Sequence, residues 1–276
     1  MNPNLNFAVE EPGCKMCSDG SNDPAKCGWG GTVQLARLRY ALSVISLLEA
    51  GDKDGAVWTA DDRKGMREWV GNLTTWWLDS YLGRSAHSLQ NNIGLAYSVV
   101  GVSMALYADQ PNTATTLAKA DTPRHLAQQI TPIGELPKED APHDLFSFGY
   151  HVGDLIMLFE LVYVANQTTG LGIDPFTYHT NSSGSLLTAL EWVAPYCAGQ
   201  APWPIGPVSP IGSQDPECVI LFRMAANALH SRKYEAVSRN ATSRPNSEFA
   251  YGMDARMFMD LIAPSVFADD DHLRDG

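Results

Sequence analysis

Asn91 and Asn92 stand side by side between two segments of helical pattern, followed by Ile93, Gly94 and, three residues further on, Tyr97. Two adjacent amides are polar equipment that a plain helical core does not need. Each offers an NH2 donor and a carbonyl acceptor, the chemistry that holds an oxygen-rich or anionic group. Helix capping is the simpler use of an Asn here, with its side chain accepting from the first-turn backbone; it accounts for one residue more easily than for two. Tyr97 reads either as core packing or as a ligand contact. A second kind of chemistry lies in the aromatic rings. Trp69, Trp77 and Tyr81 fall on one helical face with Met66, Val70 and Leu73, and Trp203 sits in a proline-rich stretch. Such rings fill a core or stack on a pyranose.

Cys14, Cys17 and Cys27 cluster near the start and Cys197 and Cys218 lie far away. Three zinc ligands without a fourth Cys or His at matching spacing make a poor metal site, so no metal and no cofactor is expected, and disulfides are the better reading. Four Asn-x-Ser/Thr acceptors, at Asn72, Asn166, Asn181 and Asn240, fit a secreted glycoprotein.

The elements that must carry these residues are helical. Apolar residues at 35, 38, 41, 42, 45 and 48 form one helix stripe over Val33 to Ala50, closed by Gly51. Thr59-Ala-Asp-Asp62 resembles a capping box that opens a second helix, expected to run to about Gly83. Further helices are expected at 92–108, 113–130 with Pro123 restarting its second half, 150–168, 184–196, 216–231 and 253–262. Ala198 to Pro216 holds five prolines and cannot be helical throughout. Strands are hard to find, and the spacing of the helices is too irregular for a solenoid, so an all-α fold of antiparallel helix pairs is expected.

With 276 residues and 45% hydrophobic content, the chain can bury one large core or two small ones. A net charge of −12, from 19 basic and 31 acidic residues, argues against nucleic acid as a partner. No apolar run approaches the roughly 18 residues expected of a membrane span, so no membrane partner is expected, and the N-terminal residues carry no signal pattern.

Several phrases, in order, resemble the alginate lyase superfamily. Asn91-Asn92-Ile93-Gly94 resembles its Asn-Asn-His-Gly element, with Ile93 at the histidine. Met1-Asn-Pro-Asn-Leu-Asn-Phe-Ala8 resembles an Asn-Pro-Asn-Leu-Asn-Tyr-Ala element, and Trp77-Leu-Asp-Ser80 with Gly83 resembles the segment before the Asn pair. Ile130-Thr-Pro-Ile-Gly134 with Pro137, and Gly172-Ile-Asp174 through Gly184-Ser185 to Pro195-Tyr196, resemble two later phrases. The resemblance implies an (α/α) toroid or incomplete barrel, a single helical domain over 1–276, and a secreted polysaccharide lyase acting on an acidic, uronic-acid polymer of alginate or glucuronan type. Because the first phrase lies well inside the family's domain, the chain is expected to lack the first helices.

β-Elimination requires the C6 carboxylate to be neutralised, the C5 proton to be removed and the departing O4 to be protonated. The resemblance places Asn91 and Asn92 on the carboxylate and Tyr150, in Tyr150-His151-Val-Gly-Asp154, on the catalytic tyrosine. The family arginine falls at His143 or Asp144, and a protonated His143 is its substitute. A lone His151 beside a helix start is expected at the surface or in a cap. The implied catalytic set is Tyr150, Asn92 and His143, with Asn91, Tyr97 and Trp203 holding substrate. Ile93 can be neither base nor donor, so a glycan-binding protein without turnover, or a helical scaffold, remains the alternative.

Overall fold

The computed structural model describes residues 24–52, 55, 58–139, 146–167, 170–206 and 215–242. Its helices are α1 (Pro24–Gly51), α2 (Ala60–Asp79), α3 (Tyr81–His87), α4 (Asn92–Tyr107), α5 (Pro111–Gln129), α6 (Ser147–Asn166), α7 (Leu186–Cys197), α8 (Asp215–Leu229) and α9 (Arg232–Thr242). No strand occurs among the described residues, as the sequence pattern leads one to expect. The helix expected over 253–262 and the phrase Met1 to Ala8 lie outside the described residues.

The chain divides into two compact units, Met1–Thr122 with Thr168–Gly170, and Pro123–Gln167 with Leu171–Gly276. In the first, α2 begins at the expected capping box: Thr59 Oγ1 accepts from the Asp62 N–H at 3.2 Å and Asp62 Oδ2 accepts from the Thr59 N–H at 3.0 Å. These bonds to Thr59 hold the Asp62 carboxyl below its usual range. Met66, Val70, Leu73 and Trp77 then face Leu35 and Leu42 of α1 and Tyr97, Val100, Met104 and Tyr107 of α4. The stripe at 3- and 4-residue spacing is thus a core face, and burial of these side chains is what holds α2 against α1 and α4. Trp69 of the stripe, and Trp76 beside it, pack at the margin of this core. Leu48, expected on the apolar stripe of α1, is instead exposed, as are Tyr40, Val44 and Leu47.

The second helix ends earlier than its pattern suggests. Ser80 stops α2, its N–H still bonded to Trp76 O at 2.8 Å, and its hydroxyl caps α3 by accepting from the Gly83 N–H at 3.0 Å. Gly83 cannot carry a side chain there, since a Cβ would sit 1.7 Å from the Trp77 carbonyl oxygen. Helix α5, expected to restart at Pro123, instead runs unbroken through it.

In the second unit, α6 buries Val152, Leu155, Leu158, Phe159 and Val162. By length and composition it is apolar enough to cross a bilayer, contrary to the sequence expectation, yet 61% of its apolar window is buried inside the protein. Helix α7 opens on a second capping box, Ser185 with Thr188, and includes Pro195 in its last turn. A disulfide joins Cys197 at its end to Cys218 of α8, with Cα atoms 5.5 Å apart. Helix α9 was not expected from sequence; it packs Tyr234, Val237 and Ala241 inward and sets Glu235 against Arg223 of α8 at 3.4 Å.

Two of the family-like phrases meet in this unit. The Gly184 N–H donates to Ile130 O at 3.1 Å, and a Cβ on Gly184 would lie 2.4 Å from Thr131 O. Gly134 has φ +101° and a Cβ there would meet Thr188 O at 2.6 Å, so both glycines let the turn after α5 lie against the start of α7.

Candidate active site

The first unit holds the Asn pair at the junction of α3 and α4. Asn91 is the N-cap of α4: its backbone is extended (φ −131°, ψ −168°) and its Oδ1 accepts from the Ile93 N–H at 3.3 Å. Capping therefore does account for one of the two amides. It also fixes which way that amide points, because Oδ1 is turned to the helix. Asn92 is the first helical residue, and both asparagines are half-buried. Gly94 makes the turn possible, since a Cβ would stand 2.0 Å from Leu89 O. Ile93 is half-buried against the apolar core of the unit.

Tyr97 is 4% exposed. Its ring centroid lies 5.4 Å from Trp77 and 4.6 Å from His87, and its carbonyl accepts from Trp77 Nε1–H at 3.2 Å. Of the two readings offered by the sequence, the packing one describes its surroundings.

His87, the last residue of α3, was not singled out from the sequence. Its Nε2 lies 2.9 Å from Asp121 Oδ1, and Ser98 Oγ donates to Asp121 Oδ2 at 2.7 Å. The Asp121 side chain is 3% exposed and that of His87 is 41% exposed. A carboxylate is thus buried behind an imidazole that reaches solvent. Asp121 follows Ala114 and Ala118, both buried, at helical spacing; an acid in line with core alanines is the one sequence signal that could have exposed the pair.

In the second unit, Tyr150 lies in the first turn of α6 and is 39% exposed. His151 does not take the surface or capping place expected for it. It is fully buried, its ring 4.8 Å from Trp192 and 5.2 Å from Trp203. Trp203 is itself closed in, 5.2 Å from Trp192, 5.3 Å from Tyr196 and 4.9 Å from Phe148, with Nε1–H donating to Ser147 Oγ at 2.9 Å. These contacts make it a fastening for the start of α6, the turn that carries Tyr150. His143 lies outside the described residues.

A cavity of about 780 Å³ in the first unit is lined by Arg63, Arg67, Asn72, Asp109 and Gln110. It includes none of the sequence-predicted site residues, and its arginines are engaged, Arg63 with Asp52 at 3.5 Å and Arg67 with Glu49 and Asp109 at 3.0 Å. Among the described residues, no three His, Cys, Asp or Glu side chains gather as metal ligands.

Comparison with known proteins places these features in a family. A crystal structure of an alginate lyase from Bacteroides ovatus is similar, with a TM-score of 0.71 and 25% sequence identity over 89% of this chain. The match covers 60% of that protein's chain, so the present chain spans less than two thirds of it. The fold class is all-α, of the helical toroid type of that neighbour. Comparison with curated protein sequences gives no match. The alginate lyase family model matches residues 1–203, a range that includes Asn91, Asn92, Tyr97, Tyr150 and Trp203. The chain belongs to the alginate lyase family.

Proposed function

We propose that this protein is a polysaccharide lyase that cleaves a uronic-acid polymer, of alginate or glucuronan type, by β-elimination. The observation that carries the reading is the Asn pair at the N-terminus of α4, with Asn91 capping the helix and Asn92 opening it. The substrate carboxylate must be neutralised before its α-proton can leave. Amide N–H donors beside the positive end of a 16-residue helix suit that task without themselves being charged. Asn92 and Asn91 are assigned to the carboxylate and the phenol of Tyr150 to protonation of the departing O4. Trp203 and Tyr97 act through packing around these segments rather than as open sugar platforms.

The family match crosses the boundary between the two units, which supports one lyase domain over 1–276. The Cys197–Cys218 disulfide and the exposure of Asn72, Asn166, Asn181 and Asn240 support a secreted glycoprotein. A loss of mass on enzymatic removal of N-glycans from the eukaryotically expressed protein tests that point; an unchanged mass contradicts it. The net charge of −12 counts against nucleic acid, and the burial of α6 counts against a membrane role for that helix.

Incubation of the folded protein with alginate, glucuronan and hyaluronan tests the activity. The C4–C5 double bond formed by elimination absorbs in the ultraviolet. A rise with any of these polymers supports the reading, and no rise with all of them contradicts it. A glycan-binding protein without turnover is the second reading, favoured by Ile93 at the family's histidine; calorimetric binding of an oligouronate without product would select it.

A further inference from the structure

We propose that the cavity along α2 is a second carbohydrate site, which holds a stretch of the acidic polymer away from the Asn pair; the identity of its ligand rests on the lyase reading above. The cavity belongs to the first unit alone, and none of the proposed chemistry uses it.

Its shape suits a chain. The lining residues of α2 recur every three or four positions from Ala60 to Thr75, on one face of the helix, and span about 22 Å. Its volume of about 780 Å³ lies within the range of about 300–1,000 Å³ usual for small-molecule sites. The turn after α4, Ala108 to Gln110, lines the rest of it. Because α4 has 16 residues, that turn stands about 24 Å from the Asn pair at the other end of the helix.

The floor is Gly71, in the interior of α2, where glycine costs helix stability. A Cβ there would lie 3.0 Å from Gln110 Nε2 and 3.7 Å from Ala108 Cβ, so the missing side chain is what lets the Gln110 amide lie against the helix. The turn that delivers this amide is fixed. Asp109 takes φ +56°, the Gln110 N–H donates to Ala105 O at 2.8 Å, and Arg67 Nε stands 3.0 Å from Asp109 Oδ2. Arg67 is also bound to Glu49 at 3.0 Å, which makes it part of the wall.

The groups left over have the chemistry that a sugar acid meets. The side-chain amide of Gln110 makes no hydrogen bond among the described residues. Thr75 Oγ1 donates to Gly71 O at 3.1 Å and keeps its lone pairs to accept. Lys64 Nζ stands 3.8 Å from Glu68, with both side chains mostly exposed, a pair that solvent screens. Amide, hydroxyl and carboxylate serve ring hydroxyls as donors and acceptors, and the Lys64 ammonium serves a uronate carboxylate. No lining residue is aromatic, so recognition is by hydrogen bonds rather than by stacking. Asn72 lines the same cavity and is one of the four glycan acceptors, so the site is open to polymer on chains unmodified there.

The test is calorimetric titration of unglycosylated N92A, in which the Asn site is crippled, with an oligomannuronate, an oligoglucuronate and a neutral saccharide of equal length. N92A/G71A, N92A/Q110A and N92A/K64A are titrated beside it, with melting temperatures for each. N92A should bind at least one of the two oligouronates, and each added substitution should weaken that binding about tenfold, the size expected for a lost hydrogen bond to a charged group. G71A should melt no lower than its parent, since alanine favours the helix. The neutral saccharide should bind more weakly and be indifferent to K64A. Unchanged affinity in the three variants, a loss confined to K64A, a loss only where the melting temperature also falls, or no binding of either oligouronate overturns the proposal. Equal binding of the neutral saccharide overturns its ligand class. Ultraviolet product formation by wild type is read separately: its absence with site-dependent binding retained overturns the lyase reading alone, and its presence with binding unaffected by the variants overturns this site alone.

Discussion

Asn91 and Asn92 look alike in the sequence and do different work in the fold. Asn91 spends its carbonyl on the Ile93 N–H, so N91A should lower stability by about 1 kcal/mol, the usual cost of a lost N-cap, as well as weaken activity. Asn92 is not the cap, so N92A should lose product formation by about 10²-fold or more while its melting temperature stays within a few degrees of wild type. Thermal denaturation and initial rates on the same preparations separate the two. The Asn pair was legible because two amides in a row are hard to spend on a helix end. His87 and Asp121 were not, because 34 residues separate them and only packing of α3 and α5 within the first unit joins them. Trp203 and Tyr97 were legible as aromatic residues but not as buried ones, since an open sugar platform and a core ring have the same composition.

Helices set these residues, and their pattern was mostly readable from apolar spacing. α2 begins where Thr59 announces a capping box, whereas the box of Ser185 with Thr188 that opens α7 was not read from the sequence. The exceptions have local causes. Ser80 divides one apolar stripe into α2 and α3 by acting as the end of one and the cap of the other, which periodicity alone does not reveal. α9 is short and rich in charge, and its inward residues Tyr234, Val237 and Ala241 are too few to stand out before their partners on α8 are known. At the start of α8, Glu217 is largely buried, its Oε2 has no hydrogen-bond partner among the described residues, and burial pushes its carboxyl up to about 7 from the ordinary 4.5. Between those values the folded state holds a proton that the unfolded state has released. Stability should therefore fall as pH rises from about 4.5 to about 7 and level off above, by up to about 3 kcal/mol. Denaturant titrations should show this slope in wild type and its absence in E217Q. An equal slope in both would remove Glu217 as the cause.

On the scale of the whole molecule, the chain carries a net charge of −12, and a polyuronate is also an anion. The two repel at long range, whereas the amides and helix end proposed to bind the carboxylate act at short range. Moderate salt shortens the reach of the repulsion to about 8 Å at 0.15 M and should raise kcat/KM on the polymer, with a smaller gain on a short oligouronate. Rates measured from low to physiological ionic strength check this; a steady fall with salt on both substrates would point instead to binding by ionic contacts. The fold class was readable from the order of the family-like phrases. Part of the reason is now visible in the second unit, where Gly134 and Gly184 permit backbone contacts that the fold requires. Phrases of that kind identify a family through its packing, and say less about the chemistry than the Asn pair does.

The most direct test is the ultraviolet absorbance of unsaturated product formed from alginate and glucuronan by wild type and N92A, prepared together and both confirmed as folded. The account predicts a steady rise with wild type on at least one polymer and about 10²-fold less, or none, with N92A. Equal rates for the two proteins would show that the Asn pair does not carry the reaction, and no rise with either would contradict cleavage of alginate or glucuronan.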